Sequence, residues 1–111
     1  FFWGCSSDNH LENFDKDGWE SDLNGCSGKR AELVTELLER QQELIGLSTN
    51  EIANTLGKPD KIELYRRSQK FLVYYVTPGP DCSIYNDLEP LQYLTVKVDA
   101  LGRAKEIIYY E

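Results

Sequence analysis

Leu91-Gln-Tyr-Leu-Thr-Val-Lys-Val-Asp-Ala-Leu-Gly-Arg-Ala-Lys-Glu-Ile-Ile-Tyr-Tyr110 reads as two strands and the turn between them. Leu94, Val96 and Val98 alternate with Tyr93, Thr95 and Lys97. That period of two puts the apolar groups on one face of a half-buried strand. Asp99-Ala-Leu-Gly102 supplies the turn, and Ala104 to Tyr110 returns as the last strand. Strands joined by so short a turn are antiparallel neighbours, so the sheet is antiparallel at this end.

Working back along the chain, Phe71 to Val76 is a strong strand with apolar groups on both faces. Thr77-Pro-Gly-Pro-Asp-Cys82 cannot extend it, because prolines remove ladder donors. The connection then runs to about Pro90, long enough that a function or a disulfide is expected within it. Ile62-Glu-Leu-Tyr65 is a short strand, and Arg66-Arg-Ser-Gln-Lys70 turns it toward Phe71. Before the strands, Ser48-Thr-Asn-Glu51 is a capping box, with Leu47 and Ile52 as its hydrophobic staple. Gly57 stands where a C-cap is needed and Pro59 bars continuation. From Gly28 to Leu47, Ala31, Val34, Leu37, Leu38, Leu44 and Ile45 predict a longer helix capped by Ser27. The fold expected is α+β and two-layered: two N-terminal helices packed on a three- to four-stranded antiparallel β-meander. One sheet face is then covered and the other open.

The formal charge is -7 and it is unevenly spread. Between Ser6 and Gly28, Asp8, Glu12, Asp15, Asp17, Glu20 and Asp22 stand against Lys16 alone. No basic stripe exists to neutralise phosphates, which argues against nucleic-acid binding. Phe14 and Trp19 interrupt the acidic stretch and suggest a strap lying on the domain, ending at Cys26. The organisation expected is a stub, tether and strap over residues 1–27 and an α+β domain over 28–111.

Phe1-Phe-Trp-Gly-Cys5 is an apolar run ending on a small residue and a cysteine, followed by polar Ser6, Ser7 and Asp8. It looks like the end of a signal peptide and resembles the lipobox of bacterial lipoproteins, with Cys5 as the lipidated residue. Phe2 and Trp3 depart from the usual leucine and small residue. In an exported chain, Cys26 and Cys82, each in a Gly- or Pro-flanked loop, are the pair expected to form a disulfide. In a cytosolic protein all three cysteines would be ordinary thiols.

Gly46-Leu-Ser-Thr-Asn-Glu-Ile52, Leu56-Gly-Lys-Pro-Asp60, Val73-Tyr-Tyr75 and Val98-Asp-Ala-Leu-Gly102 together resemble the small outer-membrane lipoproteins of BamE (SmpA/OmlA) type. The likeness spans about residues 44 to 110. It implies two helices on an antiparallel sheet, as in each half of the β-lactamase inhibitor protein, and scaffolding or partner binding in the envelope. The segment from Phe14 to Arg30 and the 78–90 loop fall outside the pattern.

Chemistry is sparse. His10, the single histidine, lies in the acidic tether, away from any fixed nucleophile. Asp8, His10 and Glu12 lack the frame of a metal site. Asp99 and Glu106 are the nearest approach to a carboxylate pair, but Asp99 has a turn to make. The scattered glycines form no phosphate cradle. No enzyme, cofactor, metal or small-molecule substrate is expected. Tyr65, Tyr75, Tyr93 and Tyr109, with the basic turn at Arg66 and Arg67, are the candidate partner-binding residues. The expected function is a non-catalytic, lipid-anchored interaction or scaffold domain in the periplasm, held to the outer membrane through Cys5 and binding another envelope protein. The alternative is a secreted inhibitor-like protein that binds an enzyme through the same open face.

Overall fold

The computed structural model describes residues 11, 13–79, 82 and 91–110. Among these are three α-helices, α1 (Lys16–Ser21), α2 (Lys29–Glu39) and α3 (Thr49–Leu56), and four strands, β1 (Lys61–Leu64), β2 (Lys70–Tyr75), β3 (Tyr93–Val98) and β4 (Ala104–Tyr110). The strands form one antiparallel meander in the order β1-β2-β3-β4. Helices cover one face of it, which is the α+β architecture expected from the patterning. Cys5 and His10, and the stretch 83–90, lie outside the described residues.

Alternation decides which side of each strand is buried. Leu72, Tyr74, Val76, Leu94, Val96 and Val98 join Val34, Leu37, Ile52 and Leu56 of the helices in a single core. Ser48 caps α3 as its sequence dictates: Glu51 N–H donates to Ser48 Oγ at 3.2 Å, and Ser48 N–H to Glu51 Oε1 at 2.9 Å. Leu47 and Ile52 are both buried beside it.

Three features differ from the sequence reading. The longer helix ends at Glu39 rather than Leu47, giving way to a 3₁₀ turn over Gln41–Glu43. The run Arg40-Gln-Gln-Glu43 has no apolar side chain to bury, and Arg40 closes the end by pairing with Glu36 and Glu43. The chain beyond is claimed by β4. Gly46 N–H donates to Ala104 O at 2.8 Å, Ala104 N–H to Leu47 O at 2.7 Å and Thr49 N–H to Gly102 O at 3.1 Å. Tertiary pairing therefore overrides helical spacing, and it shields the start of that sheet edge.

Second, Ser27 does not cap α2. Gly28, at φ 81°, precedes the helix, and the carboxylate of Asp22 serves its first turn instead. Asp22 Oδ2 accepts from Arg30 N–H at 2.9 Å, while Oδ1 accepts from Ser27 N–H and Ser27 Oγ, both at 2.7 Å. Burial works against ionisation of Asp22, but these bonds and the Arg30 charge outweigh it and hold the carboxyl below its ordinary range.

Third, the strap belongs to the helical layer. Asp15 accepts from Gly18 N–H at 2.9 Å and starts α1, which delivers Trp19 to the core between Phe14 and Tyr74. Leu11, Phe14 and Trp19 share one core with the strands. Residues before and after position 27 thus bury each other.

Candidate functional site

Two constellations of polar and aromatic side chains stand out, one inside the molecule and one on its surface. The inner one centres on Arg30 and Asp60, whose side chains are 0% and 2% exposed. Arg30 Nη1 donates to Asp60 Oδ2 and, at 3.1 Å, to Tyr75 O. Its Nε donates to Trp19 O at 2.8 Å, and its guanidinium lies over the rings of Trp19 and Tyr74, 5.3 and 5.6 Å from their centroids. Asp60 accepts two more bonds, from Asn24 N–H and Tyr75 N–H, each at 2.9 Å. Tyr74 Oη donates to Gly57 O at 2.8 Å, and burial pushes that hydroxyl up against the lowering pull of Arg30. One ion pair therefore fixes the strap, α2, the 57–60 turn and the end of β2 in a single arrangement. Among the described residues Arg30 Nη2 and Trp19 Nε1 are buried without a hydrogen-bond partner, a cost tolerated in exchange for the other contacts.

Beside this knot the strap runs against the end of β2. Gly25 takes φ 70°, and a Cβ there would meet Thr77 O at 2.6 Å, so the close approach requires glycine. Gly79 N–H donates to Asn24 O at 2.9 Å. Cys26 and Cys82 follow at a Cα separation of 5.5 Å and form the disulfide expected from the loop cysteines.

The outer constellation is the sheet face that no helix among the described residues covers. Strand register arranges it in rows. Tyr75, Tyr93 and Tyr110 stand side by side at one end; Lys61, Val73, Thr95 and Ile108 cross the middle; Glu63, Phe71, Lys97 and Glu106 cross the far end. Tyr93 stacks on Tyr110 at 4.8 Å and meets Tyr75 edge-on at 6.3 Å. An open recess of about 150 Å³ lies between Lys61, Glu63, Val73, Tyr75, Leu91 and Tyr93. Lys61 Nζ sits 3.2 Å from Glu63 Oε2 at its rim, and that contact raises the lysine above its ordinary value.

Of the residues expected to meet a partner, Tyr75 and Tyr93 adjoin each other here, half-exposed. Tyr65, Arg66 and Arg67 lie at the opposite end, about 13 Å away along the strands at ordinary strand rise, with Tyr65 edge-on to Phe71. Arg67 and Ser68 hold φ 58° and 65° in that exposed turn, a conformation unfavourable to side chains. Tyr109 is on the other side of the sheet, packed against the core with its hydroxyl donating to Gln92 Oε1 at 2.8 Å. A register shift between Lys97 and Val98 is responsible: Val98 pairs with Ala104, but Lys97 pairs with Glu106. The extra residue flips every later side chain of β4, so Tyr110 takes the place that an unbroken hairpin would give Tyr109.

Among the described residues no group of three His, Cys, Asp or Glu side chains is placed to hold a metal ion, and no helix is long and apolar enough to cross a membrane. Comparison of the chain with protein-family models, curated proteins and solved structures finds no match in any of the three.

Proposed function

We propose that this protein is a non-catalytic interaction domain of the bacterial cell envelope, lipid-anchored to the outer membrane at Cys5, which holds another envelope protein against its open sheet face. The observation that carries the reading is the tyrosine row. Three rings on neighbouring strands, beside a recess lined by Val73, form an aromatic surface edged with hydroxyls. Such rings bury much area at small entropic cost and recur as binding hot spots. The disulfide suits an oxidising compartment, and the BamE-type motifs of the sequence accord with an envelope scaffold.

Crosslinking in the native envelope tests the interaction. A photoreactive side chain at Tyr93 or Lys97 should trap one discrete protein, and one at Glu39, on an exposed helical position, should not. Tyr93→Ala should weaken that complex by about 1–3 kcal/mol, while its loss of two ring contacts costs the fold no more than about 2 kcal/mol. Equal trapping from both faces, or unchanged affinity in the alanine variant, overturns the reading.

The anchor is tested separately. The protein expressed with its leader in a bacterium should sediment with membranes, and Cys5→Ser should shift it to the soluble periplasmic fraction. Acylation by several chains is assumed, since one binds only marginally. Identical fractionation of the two rules out lipidation at Cys5.

A further inference from the structure

The four residues of β1 are all exposed, and among the described residues the strand has a neighbour on one side only. Its outer edge contrasts with that of β4, whose first residues are covered by the 46–49 segment. The helices also stop short of β1. Ile62 and Leu64 point to the face the helices cover elsewhere, yet they are 52% and 80% exposed. With Tyr65 they place three of the exposed large apolar side chains within four residues of one sheet edge. Exposed edges are ordinarily blunted by charge, proline or a bulge, because their free backbone groups recruit other strands.

The edge is complementary to itself. Tyr65 N–H donates to Gln69 O, and antiparallel alternation then directs residues 61 and 63 toward β2. The backbone groups of Ile62 and Leu64 consequently face outward. If two copies of β1 meet antiparallel about a two-fold axis at Ile62, each Ile62 exchanges both backbone bonds with its counterpart. Lys61 of each copy then stands opposite Glu63 of the other, twice. On the opposite face the two Ile62 side chains are directly across and the Leu64 side chains lie diagonal to them, within reach of contact. Shifting the pairing by two residues sets Glu63 against Glu63 and loses both attractions.

We infer that β1 is a homodimerisation edge, at which a second copy of this chain extends the sheet from four strands to eight. The partner is thus a second protein molecule of the same sequence, engaged at the strand edge and not through the tyrosine rings, although Lys61 and Glu63 also line the recess beside them. So short a strand makes the dimer weak in dilute solution, and confinement to a common surface raises its population through effective concentration.

Sedimentation equilibrium of the folded chain, with the disulfide intact, decides the matter. The mass should rise with concentration from the 12.8 kDa of one chain toward twice that value. Lys61→Glu and Glu63→Lys should each remain at the single-chain mass, because like charges now face each other across the axis. An equimolar mixture of these two variants should recover the association, since both cross-axis contacts become attractive again, and the double variant should recover it alone. Tyr93→Ala should associate as the wild type does. A wild-type mass that never leaves the single-chain value overturns the inference, as does association indifferent to both charge reversals. Failure of the mixture to associate, or loss of association in Tyr93→Ala, overturns it too. The single variants need to show only the wild-type melting profile, as expected of an ion pair half in solvent.

Discussion

Asp60→Ala is expected to destabilise the protein by about 3–5 kcal/mol, the usual loss when one member of a buried ion pair is removed. The carboxylate is 2% exposed and is the only acidic group within an ion-pair distance of Arg30 among the described residues. Without it the guanidinium stays charged in the core, already carrying one unsatisfied nitrogen. The backbone N–H groups of Asn24 and Tyr75 lose their acceptor as well. Arg30→Met should cost less, because Asp60 keeps those two donors and a flexible apolar chain fills the space between Trp19 and Tyr74. The double variant Arg30→Met, Asp60→Ala should lie closer to wild type than the sum of the singles, by about 1–3 kcal/mol of coupling. Urea unfolding of the four proteins measures this directly, and strict additivity would show that the pair contributes nothing as a pair.

Replacing both Cys26 and Cys82 by alanine is expected to cost about 4 kcal/mol, the entropy of the large loop they close in the unfolded chain. The sequence separation is 56. For a chain of this size that loss lowers the melting temperature by roughly 15–20 °C. Thermal unfolding with and without reductant reports the same quantity in the unaltered protein. A melting point insensitive to reduction would mean that the strap and the 79–82 turn are held equally well by their noncovalent contacts. The two effects reinforce each other spatially, since Asn24 supplies a backbone donor to Asp60 and Cys26 follows two residues later.

Much of this architecture was legible because it rests on local rules. The capping box at Ser48 is built within four residues, and the alternation from Tyr93 to Val98 needs no knowledge of the rest of the chain. The disulfide pair follows from loop composition together with the expectation of export. What escaped was non-local. Arg30 reads as one more charged residue in a polar first turn, and nothing near it announces a carboxylate thirty residues on. Asp22 caps a helix from eight positions upstream, where Ser27 looked the better placed. The tyrosine row was half visible: Tyr75 and Tyr93 were identified, but the bulge that exchanges Tyr109 for Tyr110 is a property of the paired strands and not of either alone.

The covalent link between the strap and the end of β2 also sets how the molecule bears load. A pull on the chain from its N-terminal side first acts on the segment carrying Leu11, Phe14 and Trp19, and these must be drawn from the core one after another. At Cys26 the force leaves the backbone and crosses to Cys82 through sulfur. The polypeptide between the cysteines, including α2, α3, β1 and β2, is bypassed and adds no length to the stretched chain. A protein pulled by its N-terminal side would therefore transmit tension past α2, α3 and Tyr75 on β2, into the part of the chain that carries β3 and β4 with Tyr93 and Tyr110.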